Sequence, residues 1–270
     1  MLQFTKMHGL GNDYVFVDCT KESPANLPEL AAALSDRHFG VGSDGLICIC
    51  PSQQADFQMR MFNADGSEGA MCGNGIRCVG KFVYDRGMTR QTHLTIETLS
   101  GVKDLHLQIR AGKAVGATVD MGVPVLREEA LVREINGKDF SFTAVSMGNP
   151  HAVALCAAPE ALDLARIGPV METDTAFPGG VNVEFAAVES PQRIRLRVWE
   201  RGSGETLACG TGACATLAAL AAQGLCRWQV TAALPGGELS LRWAEDGHIY
   251  MSGPAVTVFE GVYEDGTDQQ

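Results

Sequence analysis

No apolar run in this 270-residue chain approaches the roughly 18 to 20 residues that a membrane-spanning helix needs, which argues against a helical membrane protein. Basic runs are equally absent. Lys and Arg, 21 in all, are scattered among 32 acidic residues, the net charge is −11, and a nucleic-acid surface is disfavoured. The first ten residues show neither a basic start followed by an apolar core nor an Arg/Ser-rich transit composition, so no export signal is expected and a cytoplasmic home follows. Metal signatures are missing too. Cys72-x5-Cys78, Cys209-x4-Cys214 and Cys48-x-Cys50 form no paired CxxC knuckles and no His stands in an HExxH, so no metal is expected. Gly9-Leu-Gly11 and Gly202-Ser-Gly204 complete neither GxGxxG nor a Walker lysine motif, leaving dinucleotide and phosphate loops without support.

What the chain does contain is glycine, 31 residues, and cysteine, nine residues. An odd cysteine count without secretion makes a disulfide framework improbable. The length points to two domains. Short runs at 14–18, 46–49, 57–62, 93–98, 104–109, 193–199, 238–243 and 255–260 read as strands, several with the alternation of half-buried sheet. Two segments read as helices. One follows the turn Cys72-Gly-Asn-Gly75 and runs from Ile76 to Arg86, with Gly87 as its stop; the other follows Cys209-Gly-Thr-Gly212 and runs from Ala213 to Gln223, with Gly224 as its stop. The second is apolar or small on every face, as suits a helix enclosed by strands.

The two turns reveal an internal repeat. Cys209 lies 137 positions after Cys72, and the same ungapped offset places Gly11-Asn12 on Gly148-Asn149, Gly42 on Gly179, Glu68 on Glu205, Phe62 on Trp199, Asn63 on Glu200 and Gly45 on Asn182. The expected fold is therefore α+β: two pseudo-symmetric domains from an internal duplication, each a strongly curved β-sheet or barrel wrapped around a central α-helix. The N-terminal domain is expected over 1–118, joined by a return segment at 261–270, and the C-terminal domain over 119–260.

A duplicated fold can present equivalent loops face to face, bringing Cys72 and Cys209 to one site. A thiolate on one face of a substrate carbon then removes a proton while a thiol on the other supplies one, inverting the centre. The glycine-rich turns predict exposure for both cysteines, and a helix N-terminus lowers a thiol's pKa and offers N–H groups to a carboxylate. Those N–H groups would stabilise the charge that forms when the α-proton leaves, with neither metal nor pyridoxal cofactor. The other seven cysteines, Cys19, Cys48, Cys50, Cys78, Cys156, Cys214 and Cys226, read as packing residues. A cysteine hydrolase using Cys72 or Cys209 with His8 or His151 would leave the second thiol unexplained, and His8 is expected to bond to its own glycine-rich turn.

Six ordered motifs then carry a resemblance. Lys6-Met-His-Gly-Leu-Gly-Asn-Asp-Tyr14, Phe62-Asn-Ala-Asp-Gly-Ser67, Met71-Cys-Gly-Asn-Gly-Ile-Arg-Cys78, Gly148-Asn-Pro-His151, Gly180-Val-Asn-Val-Glu-Phe185, and Glu200-Arg-Gly-Ser-Gly-Glu-Thr206 followed by Ala208-Cys-Gly-Thr-Gly212 together resemble the diaminopimelate epimerases over residues 3 to 262. The resemblance implies a cofactor-independent isomerase interconverting LL- and meso-diaminopimelate in lysine and peptidoglycan-precursor synthesis, with its site in the cleft of two like domains. Position by position, it implies Cys72 and Cys209 as the acid/base thiols and the amides of Gly73, Asn74, Gly210 and Thr211 as the carboxylate cradle. Asn12, Asn63, Asn149, Asn182, Glu200 and Arg201 match the residues that hold the ammonium groups and the distal carboxylate, and His151 lies near the site. Gly45 departs from relatives that carry Gln there, and a looser or water-filled contact is expected. The expected partner is the small-molecule substrate, with no nucleic acid and no membrane, and a homodimer is left open. Two-cysteine racemases of the proline or hydroxyproline type are the alternative, disfavoured because proline has no second charged head for Arg201.

Overall fold

The computed structural model describes residues 1–264. In chain order the elements are β1 (Leu2–Gly9), β2 (Asn12–Asp18), α1 (Leu27–Ser35), β3 (Gly45–Cys50), β4 (Phe57–Asn63), β5 (Glu68–Gly69), α2 (Gly73–Asp85), β6 (His93–Thr98), β7 (Gly101–Arg110) and β8 (Lys113–Asp120). There follow β9 (Val125–Leu126), β10 (Leu131–Ile135), β11 (Lys138–Ser146), β12 (Pro150–Leu155), α3 (Leu164–Glu172), β13 (Asn182–Ser190), β14 (Arg193–Glu200), β15 (Gly204–Thr206), α4 (Gly210–Ala222), β16 (Gln229–Leu234), β17 (Gly237–Trp243), β18 (Ile249–Pro254) and β19 (Val256–Tyr263). Among the described residues no helix is long and apolar enough to cross a membrane.

Two units result among the described residues, one of Met1–Val119 with residues 254–264, the other Asp120–Gly253. The return to the first unit begins at Pro254, ahead of the residue 261 expected from the repeat, because β19 lies antiparallel along the length of β1, from Leu2↔Tyr263 to His8↔Val256. Residues 265–270 of the expected return segment lie outside the described residues.

Each unit repeats one topology. In the first, β19, β1 and β2 are successively antiparallel, β2 and β3 parallel, β3 and β4 antiparallel, β4 and β6 parallel, and β6, β7 and β8 antiparallel. In the second, β10 through β14 and β16 through β18 follow the same alternation, with parallel pairs β12–β13 and β14–β16. A parallel pair needs a crossover, and in each unit a helix supplies it: α1 and α3 for one pair, α2 and α4 for the other. The position that β10 takes beside β11 in the second unit is taken in the first by β19 beside β1.

Both site helices open earlier than expected, at Gly73 and Gly210 in place of Ile76 and Ala213, because the glycine-rich turns are themselves the first helical turns, capped by Cys72 and Cys209. Both stop on a left-handed glycine. Gly87 has φ +70° and Gly224 φ +71°, with Met88 N bonded to Val83 O at 2.9 Å and Leu225 N to Leu220 O at 3.0 Å, the paired closure that glycine permits at a helix end. α4 buries residues on all sides; α2 does so from Gly73 to Gly80, buries Phe82 and Val83 beyond that, and packs on β1, β2 and β7. The sequence reading missed α1 and α3. Pro28 and Pro169 interrupt their patterns, yet Pro28 sits in a first turn where its missing N–H costs nothing, and Leu27, Ala31 and Leu34 form a buried stripe. In the second unit the core gathers Phe142, Ile167, Met171 and Phe185 beneath α3.

Candidate active site

In the first unit Cys72 is the N-cap of α2, with extended backbone that turns its thiol toward the helix start. Its Sγ accepts from Gly75 N at 3.3 Å and donates to Asn12 Oδ1 at 3.2 Å. That same oxygen accepts from Asn74 Nδ2 at 3.3 Å, and Asn12 Nδ2 donates to Asp44 Oδ2 at 2.8 Å. Burial raises the Asp44 carboxyl, against a hydrogen bond from the Asp13 amide. Asn74 is held in turn by Arg77, whose Nη2 donates to Asn74 Oδ1 at 2.8 Å and whose Nη1 donates to Gly73 O at 2.8 Å. Arg77 is wholly buried. Gly9 makes room for it, since a Cβ there would stand 2.8 Å from Nη2. Tyr14, also buried, is pushed well above the usual phenol range, first by burial and then by the Cys72 sulfur beside it.

In the second unit a hydrogen-bonded chain leads inward from Cys209, the N-cap of α4. Cys209 Sγ lies 3.5 Å from Thr211 Oγ1, which accepts from Asn149 Nδ2 at 3.3 Å. Asn149 Oδ1 is 3.1 Å from His151 Nε2, and His151 Nδ1 is 2.7 Å from Glu184 Oε1. His151 thus bridges Asn149 and Glu184 through its two ring nitrogens. His151 and Glu184 are both fully buried, and Glu184 Oε2 has no hydrogen-bond partner. Gly212 explains how the carboxylate fits against the helix: a Cβ there would stand 2.5 Å from Glu184 Oε1. Gly75, its counterpart in the repeat, meets Ile47 Cδ1 at the same 2.5 Å, so the motif needs glycine in both copies to bring helix and strand together.

Burial decides the state of Cys209. The residue is 5% exposed, and burial, followed by the charges of Glu200 and Glu184, pushes its thiol well above the usual range against the Thr211 hydroxyl and the Gly212 N–H. The expectation of an exposed, acidified thiol is therefore corrected for Cys209: desolvation of the thiolate and two carboxylates outweigh the helix terminus. Cys72 is half-buried. Glu200 is likewise raised, chiefly by burial, while the Thr206 hydroxyl stabilises its charged form by donating to Oε1 at 2.5 Å.

The remaining expected residues hold local positions. Asn182 Oδ1 accepts from Arg201 N at 2.9 Å, and the Arg201 guanidinium donates to Gly179 O at 2.8 Å beside Gly180, whose φ of +76° and lack of Cβ let the arginine stem pass. A cavity of about 570 Å3 is lined there by Glu172, Asp174, Phe177, Gly179, Gly180 and Arg201. Asn63 Nδ2 donates to Ser67 Oγ at 2.9 Å within its own turn. Gly45 is buried opposite Asn63, and a Cβ would collide with Phe62 O and approach Tyr14 Cε1 to 3.0 Å. The looser, water-filled contact expected at Gly45 is thus corrected to close packing. His8 accepts from Gly11 N at 3.2 Å, the local bond expected. Among the other thiols, burial pushes Cys78 up to about 12 and Cys226 up to about 11.

Sequence reading gave no role to Arg77, Glu184 or Tyr14. For Glu184 a signal was present: it is the lone acid in the apolar run from Val181 to Val188, where a buried charge needs a partner.

The chain is similar to known proteins along nearly all of its length. The diaminopimelate epimerase family profile matches residues 4–127 and 143–258. A diaminopimelate epimerase of Acetivibrio thermocellus is 52% identical over 96% of this chain and 98% of its own length. One from Desulfitobacterium hafniense is 49% identical over 97% and 98%. In fold the chain is similar to a probable proline racemase from Agrobacterium radiobacter K84 (TM-score 0.75, 17% identity, 100% of this chain and 95% of that one). It is also similar to a PhzF-family phenazine biosynthesis protein of Bacillus anthracis (TM-score 0.73, 15% identity, 97% and 99%). With half its residues shared along almost the whole length and both cysteine turns intact, the chain belongs to the diaminopimelate epimerase family of isomerases.

Proposed function

We propose that this enzyme converts LL-2,6-diaminopimelate to the meso form by a two-base thiol mechanism, in the cytoplasm and in lysine and peptidoglycan-precursor synthesis. The observation that carries the reading is the equivalence of Cys72 and Cys209: each is the N-cap of a helix that opens on Gly-x-Gly, at the same place in two copies of one topology. A reaction whose forward and reverse directions are near mirror images calls for such a pair.

Burial favours the thiol form of Cys209, so Cys209 is the proton donor for one direction, and Cys72, on giving up the proton it donates to Asn12 Oδ1, is the base. The roles exchange after each turnover. The α-proton of an amino acid is weakly acidic, and the charge that develops on the carboxylate as it leaves must be met by fixed donors. First-turn amides of a helix have no partner within the helix. Gly73 and Asn74, with Gly210 and Thr211, supply those donors, and the two helix dipoles add to them. Asn74 is kept in place by Arg77, and Thr211 by the chain Asn149, His151, Glu184. Arg201 takes the distal carboxylate, while Asn12, Asn63, Asn149, Asn182 and Glu200 offer oxygens to the ammonium groups. A substrate without the second head would leave Arg201 and Glu200 unsatisfied, which is how shorter amino acids are rejected. Comparing turnover of LL-diaminopimelate with that of L-proline tests the reading: epimerisation of the first alone supports it, and faster inversion of proline contradicts it.

A further inference from the structure

Away from both thiols, the hairpin of β6 and β7 gathers three side chains that the epimerase chemistry does not use. His93 and His106 are directly opposite one another in the antiparallel register, and Asp104 stands two residues from His106 on the same strand, hence on the same face. The other face is the inner one. Leu105 and Leu107 are buried there, and their methyls lie 3.2 Å and 2.7 Å from where a Cβ on Gly80 of α2 would be. His93, Asp104 and His106 therefore point away from α2.

On that outer face the two imidazoles stack, with centroids 4.3 Å apart and planes inclined by 12°. Both aim Nε2 at one carboxylate: His93 Nε2 is 2.7 Å from Asp104 Oδ2, and His106 Nε2 is 3.2 Å from Asp104 Oδ1. The potential ligand atoms of the three residues all lie within 4.8 Å of one another. A tetrahedral zinc ion with bonds of about 2.0–2.1 Å holds neighbouring ligand atoms roughly 3.3 Å apart. One N···O separation already has that value, and the others reach it by sub-ångström to roughly ångström-scale shifts of side chains more than 40% exposed and free to make them.

We infer that His93, Asp104 and His106 form a binding site for a borderline divalent cation of the zinc, cobalt or nickel type. Two histidines and one carboxylate are a ligand set suited to such ions, leaving the remaining coordination position to water. The strands supply the preorganisation. The hairpin closes at Thr98↔Gly101, and the histidine pair lies at its opposite, open end, beyond the β4 contacts at Ile96 and Glu97. A bound ion there would tie the end of β6, which at His93 is paired on one side only, to β7, which β8 holds at His106↔Thr118, fixing the hairpin against which α2 packs.

The test is titration of the reduced full-length protein with Co2+ and, separately, Zn2+, for the parent, His93→Gln, Asp104→Asn and the double variant His93→Gln/His106→Gln. The parent is expected to take up one equivalent with nitrogen and oxygen ligation, seen as a cobalt spectrum without a thiolate charge-transfer band, and to gain thermal stability in proportion to occupancy. Each single variant should lose at least about 100-fold in affinity, the upper end of what losing even an outer-shell partner costs a metal site, while epimerase activity without metal stays at the parent level. Equal uptake by the double variant, a thiolate band at the first equivalent, or no uptake by the parent would each overturn the assignment. The metal-free activity of the same variants separates this outcome from any failure of the epimerase reading.

Discussion

Gly75 and Gly212 occupy the same place in the two copies of the cysteine turn, and replacing each by alanine should have different costs. At Gly75 the new methyl meets Ile47 Cδ1 at 2.5 Å, Met59 Cε at 3.3 Å and Cys72 Cβ at 3.4 Å. The first two are the ends of adaptable apolar side chains, so overpacking of about 1–3 kcal/mol is offset in part by roughly 1 kcal/mol of helix propensity, leaving about 0–2 kcal/mol. At Gly212 the methyl meets Glu184 Oε1 at 2.5 Å and Cδ at 3.2 Å, and this carboxylate is fully buried and bonded to His151. Displacing it breaks a buried pair, which costs roughly 3–5 kcal/mol, so the net loss should be about 2–4 kcal/mol after the same propensity gain. Urea unfolding of both variants measures the difference, with unchanged m-values required for the comparison. A double variant, Gly212→Ala with Glu184→Ala, removes the clash and should fall short of additivity by about 1–3 kcal/mol. If Gly212→Ala is as mild as Gly75→Ala, or the cycle is additive, Glu184 is not pinned against the helix start and the positioning chain to Thr211 fails.

The two thiols should differ in reactivity. Iodoacetamide at neutral pH, followed by peptide mass mapping, should label half-buried Cys72 well before Cys209, whose thiol burial holds protonated; the reverse order would contradict the assignment of Cys209 as the resting acid. For Glu200 the folded carboxyl is raised above its unfolded value. The folded state therefore binds more protons between the two values, and stability falls as pH rises through that window. Glu200→Gln should accordingly be more stable than the parent at pH 8, with the gap closing as the pH drops below the ordinary carboxylate range near ~4.3, and epimerisation should be slowed by at least about tenfold because an ammonium partner is lost. Stability curves for parent and variant at several pH values check the sign, and a gap that widened in acid would refute it.

Much of this arrangement was legible before any coordinates, for identifiable reasons. The 137-residue offset predicts α4 from α2 because a glycine turn, a capping cysteine and a glycine stop recur together, and those features are local. α1 and α3 were not legible, since Pro28 and Pro169 lie inside them and only packing of the buried stripe overrides that signal. β19 read as a strand, but its departure to pair with β1 is a non-local event that periodicity does not encode. The cysteines were legible as chemistry but not as environment. The glycine-rich turn suggested exposure, whereas Cys209 is buried, with Glu184 and Glu200, residues 25 and 9 positions earlier in the chain, helping to set its state. Arg77 illustrates the same limit: an arginine among apolar neighbours reads as a solvated edge until the carbonyl of Gly73 and the amide of Asn74 are seen to surround it.

The central claim is that one thiol removes the α-proton and the other returns a different one. Initial-rate epimerisation of LL-diaminopimelate in heavy water tests it most directly, by mass spectrometry of both isomers at low conversion. Two bases predict one solvent deuteron on the inverted carbon of the meso product and almost none in the remaining LL substrate. Product free of deuterium, or substrate labelled as fast as product, would contradict the account.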